Sequence, residues 1–291
     1  MSNTLIRIIS MVAYVFIAPF IGGLLEGIDR KISARMQGRK GPSIFQPFYD
    51  IAKLFSKQVL TVNPAQYFML FSYVFFVIFS GTLFFGGFDL LLCFFASTTA
   101  SMFLYLTACA SHSPYSFMGA QRELLQMMAY EPMELLTAVG FFLATRSFDV
   151  SKILSYQLSP IVKLPGFFLG FVFILTIKMR KSPFDLSTSH HAHQEMIKGL
   201  TGEMSGGLYG LVEVAEWYEM VFLLGVVGLF FVNSNPLSFA VAFAVIVAVY
   251  FLEIFIDNVS ARFKWSKALK WAWVVTLLTG GINLLILELI A

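Results

Sequence analysis

Apolar residues in this chain come in runs of about twenty, separated by polar stretches, and that alternation predicts its elements. Windows long enough to cross a hydrocarbon core fall near 5–28, 66–88, 90–110, 132–148, 161–178, 208–232, 237–256 and 269–290. The pattern predicts an all-α integral membrane protein of about eight transmembrane helices, a single transmembrane helical domain over 1–291. The ten-residue alternation of a membrane β-barrel is missing. Pro132 and Pro165, near the starts of two short windows, suit first-turn positions or breaks. The first window has no small-x-small cleavage site after it and runs straight into a polar motif, so it reads as a retained span.

One window breaks the pattern. Glu213, Glu216 and Glu219 lie at intervals of three inside the 208–232 run, so a helix there carries them on one broad face. A carboxylate at the bilayer centre costs roughly 2.5–3.5 kcal/mol. Three in about two turns require a wet or paired interior. Few Lys or Arg lie within the windows to pair with them, so an ion or proton pathway is the reading their density favours.

Composition agrees with the windows and adds a side to them. Hydrophobic residues make up 58% of the chain and charged residues 13%, about half the charged share of a soluble domain. Arg7, Arg146, Lys152 and Lys163 are the four basic residues of the N-terminus and even-numbered gaps; the other sixteen Lys and Arg fall in or beside odd-numbered gaps. The positive-inside rule then places both termini outside and the polar loops 29–65, 111–131, 179–207 and 257–268 on the cytoplasmic face. Cys93 and Cys109 offer neither a disulfide framework nor a cluster-binding set, so any electrons are carried elsewhere. No internal repeat of the kind found in secondary transporters is evident.

Three polar stretches hold the candidate chemistry. In the first, Asp29, Arg30, Lys31, Arg35, Gln37, Arg39 and Lys40 lead to a turn at Gly38, Gly41 and Pro42. A short amphipathic helix comes after it, with Asp50 and Lys53 one turn apart and Phe48, Ile51, Leu54 and Phe55 for the membrane interface. Taken alone, this stretch is equally a basic membrane-exit loop. In the second, Arg122 and Gln126 are one turn apart, and Glu131 and Glu134 border the fourth window. Arg122 with Glu123 reads as a solvated loop pair. A helix dipole accounts for Glu131 as a first-turn acid, but poorly for Glu134. In the third, Ser182-Pro183-Phe184-Asp185 is a turn with Asp185 placed to cap the segment after it. His190, His191 and His193 come next, then Glu195 and Glu203. Without a fourth ligand or a cysteine, the histidines read as a hydrogen-bonding or proton-handling surface, and no metal site is expected.

Together these stretches resemble the membrane subunit that joins the two arms of respiratory complex I, the NuoH family. The family's acid-Arg-basic exit motif and Gln-x-Arg-x-Gly-Pro fall on Asp29, Arg30, Lys31, Gln37, Arg39, Gly41 and Pro42, and its Gln-Pro-x-x-Asp-x-x-Lys on Gln46, Pro47, Asp50 and Lys53. Its Arg-x3-Gln-x3-Tyr-Glu falls on Arg122, Gln126, Tyr130 and Glu131, and its Pro-Phe-Asp-Leu on Pro183 to Leu186. Its Glu-x-Ser-Gly with a later Glu falls on Glu203, Ser205, Gly206 and Glu216. After Pro-Phe-Asp-Leu, quinone-reducing members carry alternating acids where this chain has Ser-Thr-Ser-His-His-Ala-His-Gln. That loop, the compact Ser43-Ile44-Phe45 and Glu213 are similar to the branch of membrane-bound, energy-converting nickel–iron (NiFe) hydrogenases of the Ech, Mbh and formate hydrogenlyase types.

The resemblance implies a non-redox subunit of a hydrogenase-type oxidoreductase complex in the cytoplasmic membrane of a bacterium or archaeon, with no catalytic centre or cofactor of its own. The nickel–iron centre and the iron–sulfur clusters would sit in partners: hydrogenase large and small subunits and an iron–sulfur subunit, beside antiporter-like membrane subunits. Electrons from ferredoxin or formate would pass there to protons. Asp29, Glu131, Glu134, Asp185, Glu195, Glu203, Glu213, Glu216 and Glu219 would form the ion pathway. Arg30, Lys31, Arg35, Gln37, Arg39, Lys40, Asp50, Lys53, Arg122, Gln126, His190, His191 and His193 would dock the peripheral arm. A quinone- or sulfur-reducing complex and a non-conducting structural anchor are the alternatives; nothing points to nucleic acid.

Overall fold

The long apolar runs become long helices because a backbone in hydrocarbon has to satisfy its own polar groups. The computed structural model describes residues 3–61, 63–188, 197–261 and 263–290. Its helices are α1 (Asn3–Met36), α2 (Gln46–Phe55), α3 (Ala65–Phe85), α4 (Leu90–Cys109), α5 (Pro114–Thr145), α6 (Val150–Leu154), α7 (Pro165–Lys178), α8 (Gly206–Leu229), α9 (Leu237–Val259), α10 (Trp265–Val275) and α11 (Ile282–Ile290). A π-helical turn, Thr276–Gly281, joins α10 to α11. By length and apolar composition alone, Thr4–Met36, Ala65–Phe85, Leu90–Cys109, Leu237–Val259 and Trp265–Leu289 are fit to cross a membrane. The protein is a multi-pass, all-helical membrane protein. α7 is apolar but shorter, and α5 and α8 are long but interrupted by acids.

Connections gather at two ends. At one, Arg7 donates to Ser151, Leu90 N–H to Phe148 O, and Ile161 N–H to Phe230 O. Asn283 joins them by accepting from Gly166 N–H at 2.8 Å, which caps the start of α7. At the other end, Gln37 donates to Asn258, Tyr115 to the Ile197 carbonyl, and Phe263 N–H to Pro183 O. The basic stretches of the sequence meet at this second end.

Two corrections concern α5. The 111–131 segment, expected as a loop, is helical from Pro114 onward, and Pro132 sits inside the helix rather than at its start. Pro114 takes the first-turn position instead, where its missing N–H costs nothing. Pro165 does open α7, as its position suggested.

Two apolar clusters form the core. One gathers α1, α3, α4 and α8 around Tyr14, Leu70, Tyr73, Leu104 and Val212; the other gathers α4, α5, α7, α8, α9 and α10 around Phe94, Met133, Phe171, Phe222 and Ile254. α8 contributes to both, and α1 crosses it closely: a Cβ on Gly22 would lie 2.6 Å from Trp217 Cβ. The acid-bearing helix is therefore held on several sides.

Candidate functional site

At the polar end, α8 faces a cavity of about 630 Å³ together with α1, α2, the end of α7 and the segment after it. Eight carboxylates and seven cations line it; Glu213, Glu216 and Glu219 are all among them, as their spacing predicted. Asp29, Asp185 and Asp50 join them from elsewhere in the chain.

Two basic residues at the end of α7 organise these acids, and sequence reading placed both in a cytoplasmic loop. Lys178, the last residue of α7, has a side chain only 2% exposed. Its Nζ lies 3.1 Å from Glu134 Oε1 on α5 and 3.1 Å from Glu219 Oε1 on α8. It also donates to Ser97 Oγ at 2.6 Å and stands 5.0 Å from the centre of the Tyr130 ring, whose hydroxyl donates to Ser101. Two residues on, Arg180 repeats the arrangement. Its guanidinium donates to Glu123 of α5 at 3.0 Å and to Glu216 of α8. Those carboxylates outweigh burial and hold Arg180 above its ordinary pKa, so it stays charged. The expectation that few cations are available to pair with the acids is thereby corrected.

Each arrangement is a carboxylate–cation–carboxylate triad bridging α5 and α8. Two acids share one cation, so each triad is neutral when one carboxyl holds a proton and carries one negative charge when neither does. In a poorly screened interior that single charge weighs heavily. The triads thus have a built-in capacity to bind and release a proton, and cations on α7 tie α5 to α8 through it.

A third group sits where α1 meets α9. Lys181 donates to Asp29 and lies 4.0 Å from Asp257 Oδ2, while Asp257 Oδ1 accepts from Ser182 N–H at 2.7 Å. On the α2 side, Glu26 accepts from both Trp217 and Arg30, and Arg30 also donates to Asp50 at 2.7 Å. Tyr209 donates to Glu213.

The predicted pathway residues divide accordingly. Asp29, Glu134, Asp185, Glu213, Glu216 and Glu219 lie in or beside the cavity. Glu131 is half-buried, one turn before Glu134 on α5, and Glu203 is exposed and outside the cavity lining. Glu195 and the docking candidates His190, His191 and His193 lie outside the described residues. Asp185 caps no helix, since none among the described residues begins between it and Gly206. Among the docking candidates, Lys31, Arg35, Gln37, Arg39, Lys40 and Lys53 are exposed, and Arg30 and Asp50 are tied to each other. Gln126 is buried and donates to Phe184 O, and Arg122 reaches Leu186 O at 3.5 Å, so both reach the Pro183–Leu186 turn.

Sequence reasoning missed Glu26, Glu123, Lys178, Arg180, Lys181, Glu253 and Asp257 as site residues. Glu123, read as half of a solvated pair with Arg122, is buried against Arg180 and Ser187. No local signal marks such pairings, because the partners lie tens of residues apart. Among the described residues, no group of three or more His, Cys, Asp or Glu is placed to hold a metal ion.

Known proteins share this architecture and sequence. A family described as NADH dehydrogenase matches residues 8–288. Hydrogenase-4 component C of Escherichia coli is 31% identical over 72% of this chain and 70% of its own length. A membrane subunit of the NADH-quinone oxidoreductase of Syntrophotalea carbinolica is 27% identical over 89% of this chain and 88% of its own. Among solved structures, a chain of the membrane-bound sulfane sulfur reductase, an archaeal respiratory membrane complex, superposes with a TM-score of 0.83 at 23% identity, over 99% of this chain and 100% of that one. The chain belongs to the NADH dehydrogenase (NuoH) family and is a membrane subunit of a complex I-like or hydrogenase-type complex.

Proposed function

We propose that this chain is the docking and ion-coupling subunit of an energy-converting nickel–iron hydrogenase in the cytoplasmic membrane of a bacterium or archaeon. The observation that carries the coupling role is the pair of triads, Glu134–Lys178–Glu219 and Glu123–Arg180–Glu216, side by side between α5 and α8. Partners at the polar end move electrons to protons through iron–sulfur clusters and a nickel–iron centre. A change of charge or loop position there perturbs the cavity acids, and protons redistribute over Glu216, Glu219 and Glu134 towards antiporter-like subunits. The hydrogenase assignment is supported by the similarity to a hydrogenase-4 component and by the residues after Pro-Phe-Asp-Leu.

A sulfur- or quinone-reducing complex is the second reading, and the cavity favours it in one respect: 630 Å³ is room enough for a small ligand. Fifteen charged side chains on its wall, however, suit water and ions better than an apolar ring. Purification of the intact complex decides the partner: a co-purifying subunit with two Cys-x-x-Cys pairs and bound nickel is expected, and its absence would overturn the hydrogenase reading. In proteoliposomes, Glu134→Gln and Glu216→Gln should each lower ions moved per hydrogen formed at least several-fold. Unchanged translocation in both variants would leave only a structural anchor.

A further inference from the structure

One carboxylate outside both triads has no hydrogen-bond partner. Glu253 on α9 is fully buried, and among the described residues neither of its oxygens accepts a hydrogen bond and it makes no ion pair. Buried polar groups are satisfied nearly everywhere in proteins, and an orphaned one costs its full desolvation. An uncharged structural position would hold Leu or Phe, as the neighbours Leu252 and Phe255 do. Its surroundings point to what it binds.

Tyr250, Glu253 and Asp257 occupy one face of α9. Tyr250 and Asp257 line the cavity, and Glu253 lies between them, one layer behind its wall. Tyr250 is spent on the Leu25 carbonyl at 2.8 Å and so offers Glu253 no proton. Charged groups around this face are Glu26 and Asp29 on α1, Lys181 after α7, Asp257 on α9, and Glu213 and Glu216 across the cavity on α8. Lys181 already serves Asp29 and Asp257. With Glu253 ionised, three carboxylates would share that one ammonium, two negative charges in excess.

We propose that Glu253 is a proton-binding site in exchange with the cavity, reached past Asp257 and Lys181 along the α1–α9 side and separate from the α5–α8 triads. On release, its O–H bond breaks and the proton passes to a cavity carboxylate or water; on uptake the reverse occurs. This does not depend on the coupling reading, since such a site titrates even in a complex that pumps nothing.

Infrared difference spectra of the intact membrane complex, taken across a pH step in H₂O and in D₂O, test it. The unmodified complex should show a protonated-carboxyl band that shifts in D₂O, and Glu253→Gln should lose one carboxyl from it while Glu134→Gln keeps that component. Glutamine preserves the side chain's shape; should Glu253→Gln not assemble, Glu253→Asp should retain the component at a displaced frequency. A band unchanged in Glu253→Gln overturns the proposal. So does a Glu253 signal that tracks sodium concentration at fixed pH, which would make the site a cation site instead. Failure of the coupling reading looks different: translocation unaffected in Glu134→Gln, whatever the Glu253 band does.

Discussion

At the scale of single residues, the triads make removal of the cation and removal of an acid unequal. Lys178→Met leaves Glu134 and Glu219 facing one another with no counter-charge, both in a largely dry setting. Breaking a buried pair in that way costs about 3–5 kcal/mol. Glu134→Gln instead leaves Lys178 and Glu219 as a balanced pair, so its cost should stay near 1 kcal/mol, the loss of one hydrogen-bonded contact. Thermal unfolding of the purified complex should therefore show a large drop for Lys178→Met and a small one for Glu134→Gln. Equal drops would argue that charge balance is not what the triads provide. The acids of this site were legible in the sequence because a carboxylate in an apolar run stands out. Lys178 and Arg180 were not, because they sit at a helix end where basic residues are ordinary. Only the packing of α7 between α5 and α8 carries them inward.

At the scale of elements, periodicity found α2 and misjudged α5. α2 was visible as Pro47 and then alternating apolar and polar turns, and it forms over Gln46–Phe55. Its aromatic contact is partly with the protein, Phe48 packing edge-on against Trp217 at 5.3 Å, rather than wholly with the membrane interface. The start of α5 was hidden by Glu123, Glu131 and Pro132, which look like loop and boundary residues until partners from α7 are supplied. Two links hold α2 and its leading loop to α1. Gly27 lets the backbone of Ile44 approach so closely that a Cβ would lie 1.8 Å from its carbonyl oxygen. Gly27→Ala should displace the 43–45 loop and cost about 1–3 kcal/mol, measurable as a lowered unfolding midpoint and faster proteolysis in that loop. The second link is the Arg30–Asp50 pair. Burial pushes the Asp50 carboxyl up, but hydrogen bonds from Gln46 and Arg30, with the charge of Lys53, outweigh it and hold it below its ordinary value of 3.8. The folded value is the lower one, so this link stabilises α2 above pH 3.8 and fades as the pH falls through the folded value. Asp50→Asn should abolish that step and speed amide exchange in α2, by a modest amount because the pair is partly exposed: about 0.2–1 kcal/mol.

At the scale of the whole molecule, the basic residues do two kinds of work that the sequence could not separate. Most of them fall on one side of the predicted topology, and a count of charges treats them alike. In the structure Lys178, Arg180 and Lys181 are consumed internally by acids, whereas Lys31, Arg35, Arg39 and Lys40 remain exposed at the same end. Arg30 is intermediate, held by Glu26 and Asp50. Only the exposed set has charge to offer an acidic partner surface, and exposed charges act over about 8–10 Å and are screened by salt. Reversing Lys31, Arg35 and Lys40 to Glu together should loosen the peripheral arm. The loss should show as dissociation of the soluble subunits at a lower salt concentration than the unmodified complex tolerates, with the membrane part still folded. Reversing Lys181 should do the opposite: unfold the membrane part without a salt-dependent step, since Asp29 and Asp257 would then face a third negative charge. If both variants shed the arm at the same salt concentration with the membrane part intact, docking does not run through the exposed set, and the basic stretch after α1 is a membrane-surface anchor.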